Sequence, residues 1–215
     1  LVDPFPFEMS VTNTTETYGG SDIENDENYR ERIQIAPESF TNAGSKGSYE
    51  YYARSANSDI GNVIIMGPND SANINPGQVF IYPLMNDGSI PPDEILEQVN
   101  NICSADDIRP DTDDVHVLRP VEARYNLNIT YYIDNSYASG ASSLAVQIEA
   151  AINDWIQWQR LKLGRDINPS ELHHRVIEAG AKRCVISSPA FTVINPNELA
   201  VCNNSTIIYG GLEDA

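Results

Sequence analysis

Basic residues are scarce in this chain. Thirteen Lys and Arg stand against 31 Asp and Glu among 215 residues, a formal net charge of −18. A surface that negative repels phosphate backbones and anionic lipid headgroups, which argues against nucleic acid and against a membrane surface as partners. It suits docking onto a basic patch of another protein. Long apolar runs are also missing, and nothing nears the roughly 18 consecutive apolar residues of a membrane-spanning helix. The opening Leu1-Val-Asp-Pro lacks the basic and apolar regions of a secretory signal. A start at Leu1 rather than Met is read as the removal of an N-terminal part. Cysteines number three, Cys103, Cys184 and Cys202, too few and too scattered for a disulfide framework. Cys184 and Cys202 sit among apolar neighbours and read as buried free thiols in a reducing cytosol.

The residue patterns of common chemistries are absent as well. The histidines are His116, His173 and His174. His173 and His174 are adjacent and would point about 100° apart on a helix, poor geometry for one metal ion. His116 alternates with Val115 and Val117, as the outward residue of a strand does. Asp106, Asp107, Asp111, Asp113 and Asp114 crowd around Arg109-Pro110. They lack the central Gly and terminal Glu of a calcium loop, so they read as decoration of a turn. There is no GK[ST] phosphate loop, no GxSxG elbow and no CxxC pair. The expectation is a chain without catalytic residues, metal site or cofactor.

What is present is a core-forming composition, 41% hydrophobic, with patterns of both periods. Residues 1–44 read as an extended acidic segment with a short helix near residues 26–35. Residues 45–134 read as a first module of helix, strand, strand, helix, strand, strand. In it, Tyr49, Tyr52, Ala53 and Ala56 fall at helical spacing, and Pro91-Pro92-Asp93-Glu94 opens a second helix. Strict alternation over residues 123–131 predicts a long strand with one wet face, the habit of an antiparallel sheet. A turn at residues 134–140 divides this module from a second one, residues 141–215. That module opens on the longest helix, carrying Trp155 and Trp158, and a second helix is capped by Asn168-Pro169-Ser170-Glu171. Strands are predicted at residues 183–187, 191–194 and 198–202, the last two forming a hairpin about Asn195-Pro196-Asn197. The fold class is α+β, two small α/β modules with mainly antiparallel sheets.

Five short elements occur in a particular order. Val11 and Asn13 precede Gly19-Gly20, followed by Asp22, Glu24, Arg30 and Arg32. Ala43-Gly44-Ser45 opens the helix of Tyr49 and Ala53; Pro76-Gly77-Gln78-Val79 opens a strand. Arg109-Pro110-Asp111-Thr112-Asp113 precedes Val115, and Gly164 precedes Ile167 and Ser170. Together these resemble the signature of the baseplate J-like family, with Ser45 where Thr is usual and Asp111 in place of Leu. The resemblance implies a structural subunit of a contractile phage tail baseplate wedge, part of a ring around hub and tube. It implies other wedge and hub proteins as partners, self-association in the ring, and residence in the virion tail after assembly in the host cytoplasm. Family members usually carry a longer N-terminal portion, in keeping with the start at Leu1. Gly19, Gly20, Gly44, Arg30, Arg32, Arg109 and Pro110 would be structural motif residues. Asp22, Glu24, Asp26, Glu27 and Glu31 are the candidate interface, poised for a basic neighbour. Two other classes stay open. A tail-associated cell-wall hydrolase would need a deep cleft with a shifted carboxyl. A carbohydrate- or ligand-binding domain would need its aromatics, among them 11 tyrosines, clustered on one surface.

Overall fold

The alternation over residues 123–131 becomes the middle of a fourteen-residue strand, with the odd positions from Tyr125 to Ile133 buried. The computed structural model describes residues 23–40 and 44–214, so Gly19, Gly20 and Asp22 lie outside the described residues. In chain order the elements are α1 (Asp26–Ile35), α2 (Lys46–Ala56), β1 (Ile60–Met66), β2 (Gln78–Met85), α3 (Asp93–Cys103) and β3 (Asp114–Val117). There follow β4 (Val121–Asp134), α4 (Ala141–Arg160), α5 (Pro169–Glu178), β5 (Arg183–Ser188) and β6 (Glu198–Glu213). Short 3-10 segments, Ala36–Phe40 and Asn135–Gly140, precede α2 and α4.

Local chemistry sets the helix starts. The Ser45 hydroxyl accepts from Ser48 N at 3.1 Å and caps α2. Asp93 and Glu94 occupy the first turn of α3 after Pro92, where carboxylates meet the positive end of the helix. Asn168 accepts from Ser170 N at 3.0 Å and Pro169 takes the first helical position of α5.

Each half folds against its own sheet. In the first, β1 runs antiparallel to β2 from Ile60↔Met85 to Met66↔Phe80, and β2 runs parallel to β3 from Gln78↔Asp114 to Ile81↔Val117. Tyr49 and Ala53 of α2 and Ile95, Val99 and Cys103 of α3 bury against Ile60, Val63, Ile65 and Ile81. In the second, the order is β5-β4-β6, with β4 antiparallel to β5 and parallel to β6. Ile148, Ile152 and Trp155 of α4 and Leu172 and Val176 of α5 cover one face of it.

Four expectations are corrected. Both sheets are mixed rather than mainly antiparallel, because alternation reports one wet face and says nothing of a neighbour's direction. The long strand β4 does not close the first module; it is the central strand of the second sheet, and the sheets part at residues 118–120. Residues 191–194 form no strand and no hairpin. One bridge, Ile167↔Thr192, holds them, and Ile194 N donates to Asp166 Oδ1 at 2.9 Å, drawing the segment away from β5. Finally, β6 continues through Asn203-Asn204-Ser205 into the apolar run beyond, since β4 supplies a template of almost equal length.

A third apolar cluster joins the halves. Met66, Ile74, Tyr82 and Leu84 meet Leu163 and Leu199. Around this seam, Leu163 N donates to Asn62 Oδ1 at 3.1 Å and Arg160 Nε donates to Gly88 O at 3.1 Å. Gly88 has φ +75°, and a Cβ there would lie 2.7 Å from Arg160 O, so the approach needs glycine twice over.

Leu84 and Leu199 are 0% and 1% exposed, so replacing either by Ala should cost about 2–5 kcal/mol. Both tryptophans lie in α4 and report on the second half, whereas the buried Cys103 thiol reports on the first. Urea unfolding followed by both probes should give one transition for the native chain and two for Leu84→Ala/Leu199→Ala. Coincident transitions in the double variant would show that the seam is not what couples the halves.

Candidate assembly surface

The acidic segment places its charges on its own cations. Asn25 caps α1, accepting from Asn28 N at 2.9 Å, and Asp26 and Glu27 fill the first turn. Glu24 accepts from Arg32 Nε and Nη2 at 3.0 and 2.8 Å, and that hydrogen-bonded guanidinium holds its carboxyl below the usual range. Glu27 pairs with Arg30 one turn on. Glu31 accepts from Arg54 Nη1 at 2.7 Å, tying α1 to α2 through a guanidinium only 8% exposed. Asp26 is exposed and makes no ion pair among the described residues. None of the side chains of α1 is buried, and Tyr29 and Ile33 stand half exposed on it.

The motif residues of the first half converge on one place. Gly44 has φ +69°, and a Cβ there would lie 2.6 Å from Asp113 Oδ2 and 2.9 Å from Pro110 Cγ. Tyr49, one turn into α2, donates its hydroxyl to the same Asp113 Oδ2 at 2.9 Å. Burial, and then that carboxylate, push the Tyr49 phenol up, so it stays a donor. Arg109 Nη1 donates to Asp113 O at 2.8 Å. Gly77, φ +89°, accepts from Asp114 N at 2.7 Å through its carbonyl and lies against Thr112 O. Lys46 Nζ reaches both oxygens of Asp70, at 2.6 and 2.7 Å, while Asp70 also accepts from Gly67 N at 2.7 Å. The Gly67 N–H first, then Lys46, hold the Asp70 carboxyl low. Gly44, Lys46, Tyr49, Gly67, Gly77 and Asp113 thus ring a cleft of about 220 Å³.

These contacts form a lock, in which α2, the start of β2 and the turn before β3 are held together by groups that satisfy one another. The aspartate turn is divided: Asp113 faces inward to Tyr49, whereas Asp106 lies exposed, 3.8 Å from Arg109. Among the described residues, no group of three His, Cys, Asp or Glu converges as metal ligands. His116 Nε2 lies 2.8 Å from Asp114 Oδ2, a carboxylate oxygen that accepts from it, and the ring sits edge-on to Phe80. His174 lies 3.8 Å from Glu178. Cys103 and Cys184 are buried and Cys202 is half-buried, all as free thiols. Burial pushes Cys103 up to about 12.

Sequence reasoning did not find the arrangement around Trp158. Trp155 is fully buried in the second core, but Trp158 lies against two guanidiniums, Arg165 at 3.8 Å and Arg175 at 4.5 Å from the ring centre. Arg165 also donates to Trp158 O, and Arg175 Nε donates to Glu171 at 2.8 Å. Burial and the second cation lower the Arg165 pKa. The signal available was Arg165 following a Gly164 turn near the helix that bears Arg175, and only tertiary structure brings the three together.

Comparison with known proteins bears on both halves. Residues 41–119 match the baseplate J-like central domain, and residues 125–208 match the baseplate J-like protein C-terminal domain. The gap between the matches contains the start of β4, where the sheets part. The chain is similar to "Baseplate protein J" of Escherichia phage P2, 29% identical over 196 residues. The match takes in 89% of this chain but 61% of that protein, so the chain spans less than two thirds of that relative's length.

Two outcomes follow from the lock. Gly44→Ala should destabilise by about 1–3 kcal/mol, from a strained φ and a clash with Asp113, and Tyr49→Phe by about 1 kcal/mol, from one lost hydrogen bond. Urea midpoints at neutral pH check the order; equal costs would sink the close-approach argument. Asp70 titrates lower folded than unfolded, so its contribution is present above the unfolded value of about 4 and is lost as pH falls through the folded value. Asp70→Asn should therefore flatten that part of the acid limb, measured as Tm against pH. An unchanged limb would assign the acid sensitivity elsewhere.

Proposed function

The chain belongs to the baseplate J-like family, and from this we propose that it is a structural subunit of a contractile phage tail baseplate, a wedge protein acting through protein–protein contacts. The observation that carries the reading is that family models match both halves, on either side of the sheet break. Its place is the virion tail baseplate, reached by assembly in the host cytoplasm. Its partners are other wedge and hub proteins and further copies of itself in a ring; nucleic acid and membrane are excluded from this reading by charge. Residues 1–44 serve as an acidic docking segment for two α/β modules, and no catalytic residue, metal or cofactor takes part.

The electrostatics favour this over a hydrolase. Among the described residues, the displaced carboxyls are Glu24, Asp70, Asp87, Asp134 and Glu213, and all are displaced downward, opposite to the direction a general acid requires. The exposed aromatics Tyr29, Tyr137, Phe191 and Tyr209 come from four separate stretches of chain: α1, the Asn135–Gly140 turn, the loop after β5, and β6.

Asp22, Glu24, Asp26, Glu27 and Glu31 are the acids proposed to meet a basic partner. Arg30, Arg32 and Arg54 already hold three of them, so the partner senses the net negative field of the segment rather than five free carboxylates. Mixing the chain with its wedge partners at low and high salt tests this. Replacing the five acids by Asn and Gln should weaken binding about tenfold at low salt and erase most of the salt dependence. Unchanged affinity, or no complex at low salt, would refute the electrostatic docking.

A further inference from the structure

β6 is an edge strand without the usual protection of an edge. In the order β5-β4-β6 only one side of it meets a neighbour. Among the described residues, no hydrogen bond from an element other than β4 reaches its main chain between Ala200 and Leu212. The Cys202 thiol on Asn204 O, at 3.5 Å, is internal to the strand. Natural proteins blunt such an edge with charge or proline. Here the fourteen residues from Leu199 to Leu212 contain no Asp, Glu, Lys, Arg, His or Pro, in a chain where 20% of residues are charged.

Register shifts against β4 fall between Tyr125/Asn126 and between Tyr131/Ile133, where β6 carries an extra residue each time. They bound a regular run, Asn204 to Tyr209, whose partners are Asn126 to Tyr131 in unbroken succession. Bulges end pairing at both sides of this window and leave its centre open. Inside it, Ile208 and Tyr209 stand 46% and 43% exposed.

We propose that this window pairs with the same window of a second copy, antiparallel, about a twofold axis near Thr206 and Ile207. Charge selects the occupant. Two chains of −18 repel each other at long range, and a close contact between them must fall where charge is absent. β6 supplies such a strip. The nearest flanking acid, Glu213, is neutralised within its own chain by Arg183, at 2.8 and 3.0 Å. A basic partner would gain nothing from a neutral edge and would be drawn to the acids instead. Pairing satisfies the open N–H and C=O groups of both edges and lowers the exposure of Ile208 and Tyr209. It joins two three-stranded sheets into one of six strands, with α4 and α5 of both copies on the same face. Such a pair is closed, so growth of any ring requires other contacts.

The inference goes beyond the function proposed above and is tested on this chain alone, so either can fail without the other. Sedimentation velocity from about 5 to about 200 µM should show a monomer converting to a dimer, with Kd on the order of 10–100 µM for so short a window. Amide exchange over residues 204–209 should slow across the same range, a readout that needs no variant. Thr206→Lys/Ile208→Lys and Thr206→Glu/Ile208→Glu should each be monomeric with the native circular dichroism, and mixing them one to one should restore the dimer. A chain monomeric throughout, exchange that ignores concentration, charged variants that still dimerise, or a mixture that stays monomeric would each overturn the proposal.

Discussion

The parallel ladder between β4 and β6 is the constraint on which the rest depends. It runs from Val121↔Glu198 to Asp134↔Glu213, nearly the whole length of both strands. Parallel neighbours cannot be joined by a tight turn, so the chain must return from Asp134 to Glu198 before pairing can begin. α4, α5 and β5 all lie within that return. Their apolar faces have one sheet to cover, and Ile148, Ile152, Trp155, Leu172 and Val176 cover it from one side. The same return brings Gly164 beside Pro196, close enough that a Cβ would lie 3.1 Å from Pro196 Cα. Gly164 N then donates to Glu198 O at 2.9 Å, which sets Leu163 and Leu199 next to each other at the seam with the first half. The ladder therefore fixes the second core, the junction between halves and the exposure of the outer edge of β6 in one stroke.

Charge works on a different scale. Most ion pairs here are exposed or half exposed, and pairs of that kind contribute little to stability. Their consequence is local neutralisation. Arg30, Arg32, Arg54, Arg175, Arg183, Lys46 and Lys182 each hold a carboxylate of the same chain, and Arg165 lies over Trp158. With the cations engaged internally, the excess of acids sets the long-range field. That field is repulsive to like-charged chains except where a surface carries no charge at all.

The helices were legible because their signals are local. α2 begins after the Ser45 cap, α3 after Pro91-Pro92 and α5 after the Asn168 cap, each where cap chemistry placed it. Strand positions were legible too, but strand partners were not. Residues 123–131 alternate because α4 and α5 cover one face, and a parallel neighbour yields that pattern as well as an antiparallel one. Phe191-Thr192-Val193-Ile194 has strand composition, yet its hydrogen bonds go to Ile167 and Asp166, a choice no window of sequence records. The acids of α1 were visible as a charge run, whereas their pairing with Arg32, Arg30 and Arg54 depends on helical phase and on α2 being near.

The motif residues of the first half show how a family signature can encode structure. Gly44 and Gly77 adopt left-handed backbone at points where another chain segment approaches within 3 Å of where a Cβ would stand. Pro110 fills the space over Gly44, and Tyr49 and Arg109 both hold Asp113, one by its carboxylate and one by its carbonyl. Removing any of these residues would loosen α2 from the turn before β3, and none of them presents a reactive group to solvent. A signature of this kind specifies how a module is built rather than what it acts on. On the proposed reading, recognition falls where the lock does not reach: the acidic helix α1, which buries no side chain, and the uncharged rim of β6. These two surfaces are electrostatic opposites, one suited to a basic neighbour and the other to a copy of itself. A ring built from like-charged subunits needs both kinds of contact, because the field that draws in a basic partner is the same field that drives copies apart.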